Sequence, residues 1–496
     1  MSKKITNINL IKYSHNRSAH YKATTNEIFN LINNYTDQKS LAGFYDYFSR
    51  KYNLPEFVVK QGVRQYLAKS YSYKNGEFEP KLHVKNIPKS ILRYGALIYA
   101  IFFAKKKGKE RKFDLIVDDI HAPHELERFR RLLKLVGSKK VLCVAQNIDI
   151  KQDHSEYCIY NSKRFRNINL TSLIKSIFNE SFIGILTVLK ISIKSRVNLF
   201  PISLQIIHSY LSYKTLFESN VAPYVIQERH YDTNPVKNYL FKQSGGIAST
   251  SIQKNIFQAD PMFFYVDIDT LFSLGESGFN EFLEYGGRID KVVPVGSVFM
   301  EYYWFSNIDV PSSLGKKYDV LFLGINLADR MDSYNEFLED YYSSFKWLVQ
   351  LKRENPDYRI GVIHHESLRN VDVIEAEVLL NSGVEVIDKA ANSYVAAFSS
   401  HCAVTYGSTM GYELNAHKLP AFFIDPDYRC TFLPDKRIDF MDRLRMNSYD
   451  VFSKSVKDVL SGNKNEPLAK VQMSELCLDS STASDKIYKY LKKEHD

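Results

Sequence analysis

The chain has 496 residues, which at about 100–200 residues per domain predicts two or three domains. A hydrophobic content of 45% with 25% charged residues excludes wholesale disorder, and 21 Gly with 15 Pro excludes a collagen-like fibre. Lys and Arg (66) exceed Asp and Glu (56), and the resulting net charge of +10 suits an anionic substrate or surface.

The positive charge is dispersed and no nucleic-acid-binding module is recognisable, so nucleic acid is not the expected partner. Five cysteines (Cys143, Cys158, Cys402, Cys430, Cys477) are odd in number and widely spaced, without CxxC. They make neither a disulfide framework nor a zinc site and fit a reducing compartment. The first residues lack the apolar core of a signal peptide, so a cytoplasmic protein is expected.

Residues 1–90 read as a polar, helical N-terminal extension. Residues 94–104 are an apolar run too short to span a bilayer, followed by the basic run KKKGKERK. That pairing suits a buried helix with a solvated basic end, or contact with the inner leaflet of an anionic membrane. The pattern then becomes strand–helix alternation. FDLIVDDI is a strand closed by acids, HELERFRRLLKLVG a helix stopped by Gly137, and KKVLCVAQNI a strand, which together make a βαβ unit with a parallel sheet. Residues 170–218 read as helical. PYVIQ, ASTSIQ, the run through Asp267 and Asp269, and RIDKVVP add strands. Residues 301–317 read as a linker.

A second series follows. YDVLFL, YRIGVIHH, VEVID, CAVTYGST and LPAFFIDP are strands, with helices after the first, before CAVT and after Ser408-Thr409. The expected fold class is therefore α/β, with two Rossmann-like domains facing a cleft and an N-terminal helical extension. The expected segments are residues 1–90, 91–310, 316–470 and a C-terminal helix at 471–496. In parallel sheets ligands bind beyond the carboxyl ends of the strands, so residues just after each strand are the candidates.

The strongest constellation is Tyr406-Gly407-Ser408-Thr409 followed by Glu413. A strand ends, hydroxyl residues turn the chain, and a helix begins whose free N–H groups suit a phosphate. Glu413, one turn further on, is positioned to reach ribose hydroxyls. An ordinary N-cap uses the same residue types. His364 and His365 end another strand, and one imidazole could donate to a phosphate. Gly324 and Gly296 end strands where the backbone could approach a ligand or simply turn. In the first half, Asp118, Asp119, Glu228 and Asp232 are candidates for removing a proton from an acceptor hydroxyl, with capping or ion pairing as the alternative. Arg229 and Lys254 could neutralise substrate charge. The DxD pairs Asp267/Asp269 and Asp425/Asp427 are weak metal signals, and no metal site or cofactor is expected. GxxxxGK[ST], GxSxG and HExxH do not occur.

The block 318–426 resembles the donor-binding domain of GT-B glycosyltransferases. It is similar to bacterial capsule and O-antigen sugar transferases, including those using CMP-activated Kdo or sialic acid, and to CDP-glycerol glycerophosphotransferases. The residues that carry the likeness are Tyr406-Gly407-Ser408-Thr409, Glu413 and the strand KLPAFFIDP, with 271–297 resembling the close of the partner domain. CMP-using relatives often carry His-Pro where this chain has His364-His365. The resemblance implies a nucleotide-activated sugar as donor, a glycan or lipid-linked glycan as acceptor, and no bound metal. It leaves open a glycerophosphotransferase, a nucleotide-sugar 2-epimerase, and a non-catalytic scaffold at the inner membrane leaflet.

Overall fold

The computed structural model describes residues 28–70, 111–145, 158–161, 182–195, 198–256, 265–277, 279–284, 286–306, 316–325, 335–365, 378–388, 392–426, 441–462 and 470–493. The apolar run 94–104, the basic residues after it up to 110, and Asp427 lie outside these. No helix among the described residues is long and apolar enough to cross a membrane.

Fifteen short strands run in chain order: β1 (Arg111–Lys112), β2 (Leu115–Ile120), β3 (Val141–Ala145), β4 (Cys158–Asn161), β5 (Asn220–Val221), β6 (Tyr224–Gln227), β7 (Ala248–Ile252), β8 (Asp267–Ser273), β9 (Arg288–Pro294), β10 (Tyr318–Leu323), β11 (Ile360–Ile363), β12 (Glu385–Val386), β13 (Ser400–Thr405), β14 (Ala421–Ile424) and β15 (Arg445–Met446). Seven of them form a sheet in the order β4-β3-β2-β6-β7-β8-β9, and six form a second in the order β12-β11-β10-β13-β14-β15. Every pairing is parallel. β1 and β5 form a separate parallel pair. These are two Rossmann-like domains, the fold class that the alternation of elements implies.

Burial explains the strand composition. β3, β7 and β11 are apolar or small because helices cover both faces of their sheets. One face of the first sheet shares its core with the N-terminal helices. Phe44, Val59 and Val63 pack in the cluster that holds Ile116, Leu142 and Val225, so residues 28–70 join the first domain. The other face packs on Leu126, Leu132 and, from the far end of the chain, Ala483, Ile487 and Leu491.

Three expectations change. HELERFRRLLKLVG is two helices, Pro123–Arg128 and Arg130–Val136, joined at Phe129. Residues 298–306 form a helix instead of the start of a linker, because Met300, Tyr303 and Trp304 are apolar enough to pack on the second domain. The C-terminal segment is two helices, with Lys470–Leu476 against the second core and Ala483–Lys493 on the first.

Candidate functional site at the facing sheet edges

Each sheet has one point where the strand order reverses direction: between β2 and β6 in the first, and between β10 and β13 in the second. Connections leave such a point to opposite sides and open a crevice at the carboxyl ends. Nearly all of the sequence candidates lie at or beside these two points.

At the first point the β2–β3 register breaks between Val117 and Ile120, and Asp119 adopts φ +68°. A bulge with a left-handed non-glycine residue re-aims a side chain at some cost in backbone strain. It separates the two aspartates. Asp118 is buried and accepts from Lys237 Nζ at 2.9 Å and from Tyr213 OH at 3.3 Å. Asp119 Oδ1 instead lies 2.7 Å from Nε2 of His121, a ring that is about half exposed. Its hydrogen bond to Asp119 raises the imidazole pKa, with burial opposing. Burial pushes the Asp119 carboxyl up against the His121 bond and Arg229. Glu125 holds the loop by accepting from His121 N (2.6 Å), Ala122 N (3.1 Å) and Arg229 Nη2 (2.6 Å).

Glu228 is fully buried, 2.8 Å from Arg128 and 3.3 Å from Arg229. Burial raises its pKa while Lys254, Arg128 and Arg229 oppose. Asp232 is part-exposed, 3.9 Å from Arg229 Nη1. Arg128 and Lys254 lie over the same Phe299 ring, at 4.6 and 5.6 Å from its centroid. Burial lowers the Lys254 pKa, partly offset by Glu228. His230 is buried, its pKa pushed down to about 3 by burial, and its Nδ1 accepts from Lys254 N at 3.2 Å. Five buried polar atoms here have no hydrogen-bond partner, Asp118 Oδ1, Asp119 Oδ2, Arg128 Nε, Arg229 Nε and His230 Nε2, with Asp119 Oδ2 and Arg229 Nε 3.8 Å apart as an ion pair. Such a concentration is costly in a structural core and is typical of a site built for a ligand.

At the second point Thr405 Oγ1 donates to Leu323 O (2.9 Å) and accepts from Ser408 N (3.2 Å). Ser408 caps the helix Thr409–Ala416, its Oγ accepting from Met410 N. Gly407, Ser408 and Thr409 are part-exposed. Gly411 lets this helix sit close on the sheet, since a Cβ there would meet Phe423 Cζ at 2.7 Å.

The two edges meet. Ile256 N, just after β7, donates to Thr409 Oγ1 at 3.4 Å. Lys254 lies two residues earlier on the same loop, its ammonium over the Phe299 ring. Ser297 Oγ donates to Glu413 Oε1, and Tyr394 OH to Glu413 Oε2 at 2.8 Å.

Several expectations are corrected. Tyr406 is fully buried in the second core beside Tyr341, because its ring is too apolar to leave the strand end exposed. Glu413 is buried with both oxygens bonded to protein groups, so its carboxylate bridges Ser297 and Tyr394 instead of lining an open ribose pocket. Gly324 makes room for a neighbouring loop, since a Cβ would lie 2.8 Å from His365 N. Gly296 (φ +95°) does the same for residue 480. His364 sits beside Phe345, with ring centroids 6.3 Å apart, on the helix-covered face, and His365 continues the chain next to Gly324. In the DxD pair on β8, Asp267 and Asp269 are both bound by Arg288, and Asp269 also by Lys242 at 2.7 Å. Asp425 pairs with Arg445 at 3.1 Å. Among the described residues no group of three or more His, Cys, Asp or Glu is arranged to hold a metal. The sequence reading passed over His121, Glu125 and Arg128. The available signal was a histidine directly after an acid-closed strand and two residues past Asp119.

No protein-family model matches the chain, and no curated protein matches it. Solved structures are similar at low identity. A UDP co-structure of MnaA from S. aureus is 13% identical over 77% of this chain and 97% of that one, with a TM-score of 0.45. The wall teichoic acid polymerase TagF is 12% identical over 83% and 96%, with a TM-score of 0.47. UDP-GlcNAc 2-epimerase from Neisseria meningitidis bound to UDP-GlcNAc is 10% identical over 77% and 100%, with a TM-score of 0.44. At this distance the functional reading rests on the residues of this chain.

Proposed function

We propose that this protein is a GT-B-type transferase that moves a sugar from a nucleotide-activated donor to a hydroxyl of a surface glycan or lipid-linked glycan. The observation that carries the reading is the meeting of the carboxyl edges of the two sheets. One holds a strained acid–imidazole pair, and the other a hydroxyl turn at a helix start, joined through the Ile256–Thr409 bond.

In this reading the donor phosphate sits on Ser408, Thr409 and the helix N–H groups, with the ammonium of Lys254 and the guanidinium of Arg128 opposite. His121 takes the proton of the acceptor hydroxyl, and Asp119 fixes the ring and stabilises the imidazolium that forms. The acceptor oxygen bonds to the anomeric carbon as the bond from that carbon to the phosphate oxygen breaks. The nucleotide leaves with the electron pair. Asp118 and Glu228 stay ion-paired and shape the crevice.

A thermal-shift series with CMP, CDP, UDP and GDP tests the donor class, because a ligand of the native state raises Tm. A shift with one nucleotide, followed by its release from the matching sugar only when a glycan acceptor is added, supports the reading. Consumption of CDP-glycerol would make the chain a glycerophosphotransferase, and interconversion of a UDP-sugar without acceptor would make it an epimerase. No shift with any nucleotide, or full biological function after Ser408→Ala with Thr409→Ala, would favour the scaffold.

A further inference from the structure

Two segments pass between the domains side by side. One leaves β9 through Gly296 and Ser297, and the other returns through residues 477–480. They touch closely: Ser297 N donates to Ser480 Oγ at 2.8 Å, and a Cβ on Gly296 would lie 3.0 Å from Ser480 Cα. The helix Thr409–Ala416 holds both. Glu413 accepts from Ser297 Oγ, and His417, one turn later at the helix end, accepts on Nε2 from Ser480 N at 3.1 Å. Glu413 is buried and also accepts from Tyr394 OH, and Tyr394 stacks on Tyr303 of the 298–306 helix at 4.6 Å. The same helix begins at Ser408 and Thr409, whose hydroxyl receives Ile256 N from the first domain. One short rigid element thus carries the candidate anion site at one end and both crossings at the other.

We propose that Glu413 is a positioning residue that, together with His417, locks this helix to the two crossing segments, so that the arrangement of the domains and anion binding at the helix start are coupled. The tie stands on the contacts alone, while the identity of the anion rests on the proposed transferase reading. Coupling of this kind is reciprocal: whatever loosens the crossing weakens binding by the same factor by which bound ligand steadies the crossing.

The test is amide hydrogen exchange on the full chain, read at residues 296–301 and 478–484. Glu413→Ala removes two bonds to a buried carboxylate, and bonds to charged groups contribute about one to two factors of ten in an equilibrium. Exchange at both segments should rise about tenfold or more. Ser297→Ala should give a similar rise, and the double variant little beyond Glu413→Ala, because the Glu413–Ser297 bond is common to both. Glu413→Gln, which keeps the shape and an acceptor, should stay near the parent. If Glu413→Ala fails to fold, Ser297→Ala and Tyr394→Phe carry the measurement. Exchange within twofold of the parent in the folded variants, or additive effects in the double, overturns the tie. The second arm adds CMP, CDP, UDP and GDP. If a nucleotide stabilises the parent, its affinity should fall in Glu413→Ala and recover in Glu413→Gln, and equal affinity in both overturns the coupling. If none of the four binds the parent, the transferase reading fails while the exchange data still decide the tie.

Discussion

Replacing Lys237 with Met tests whether Asp118 is a structural ion-pair partner or a catalytic base. Lys237 is 2% exposed and Asp118 1% exposed, and the ammonium lies 2.9 Å from Oδ2. It also donates to Gln227 Oε1 at the end of β6. Methionine matches the stem of lysine, so packing changes little, but a buried carboxylate loses its counter-charge and a buried amide loses a donor. Breaking a buried pair from one side costs about 3–5 kcal/mol. For a domain of 150–250 residues each kcal/mol lowers Tm by about 2–4 °C, so a fall of roughly 6–20 °C is expected by calorimetry. Adding Asp118→Asn removes the stranded charge while keeping the acceptor for Tyr213, and should recover more than half of the loss. If the single variant loses under about 1 kcal/mol, or the double is as unstable as the single, Asp118 is not held as described. A stable double variant with no transferase activity would return Asp118 to the catalytic candidates.

His121→Gln should lower transfer by about 10²–10⁴-fold with little change in stability, measured as nucleotide release under saturating donor. Asp119→Asn, which tolerates the left-handed backbone, should move the acidic limb of the pH–rate profile to lower pH, because Asp119 raises the imidazole pKa. An unmoved limb would separate His121 from the chemistry. Ser408→Ala should cost about 1 kcal/mol of cap stability and also weaken the nucleotide-induced Tm shift, and retention of the full shift would place the anion elsewhere. Gly411→Ala puts a Cβ 2.7 Å from Phe423 Cζ and 3.2 Å from Thr405 Cγ2, and should destabilise by about 1–3 kcal/mol in urea unfolding. His230 has a folded-state pKa depressed to about 3, so neutral His230 supports the fold above its unfolded pKa near 6.5. That support is lost as pH falls from there towards 3, at about 1.4 kcal/mol per unit, and His230→Asn should flatten the slope of stability against pH.

The architecture was largely legible because it is written in short-range signals. Apolar runs such as LIV of β2 and VLFL of β10, each followed by a turn and a helical period, fix a parallel sheet whose faces are both covered. The helix after Ser408-Thr409 was equally visible, since an N-cap acts within three residues. Signals that depend on partners far along the chain were not legible. YYWF reads as a linker until Trp304 meets Phe398. The two aspartates of β2 look equivalent until the bulge turns one to Lys237 and the other to His121. Tyr406 and Glu413 look like ligand contacts from their spacing, yet one fills the core and the other bridges to Ser297.

By itself the sequence determined two strand–helix series, their parallel order and the strand ends at which charged and hydroxyl residues gather, because these follow from periodicity and local backbone preference. Only the tertiary structure decided which of those residues share a crevice, which are neutralised in buried pairs, and which bind the domains to one another. Those outcomes depend on contacts over separations of 100 residues or more, such as Arg128 with Glu228 and Ser297 with Glu413, and on the desolvation that accompanies them.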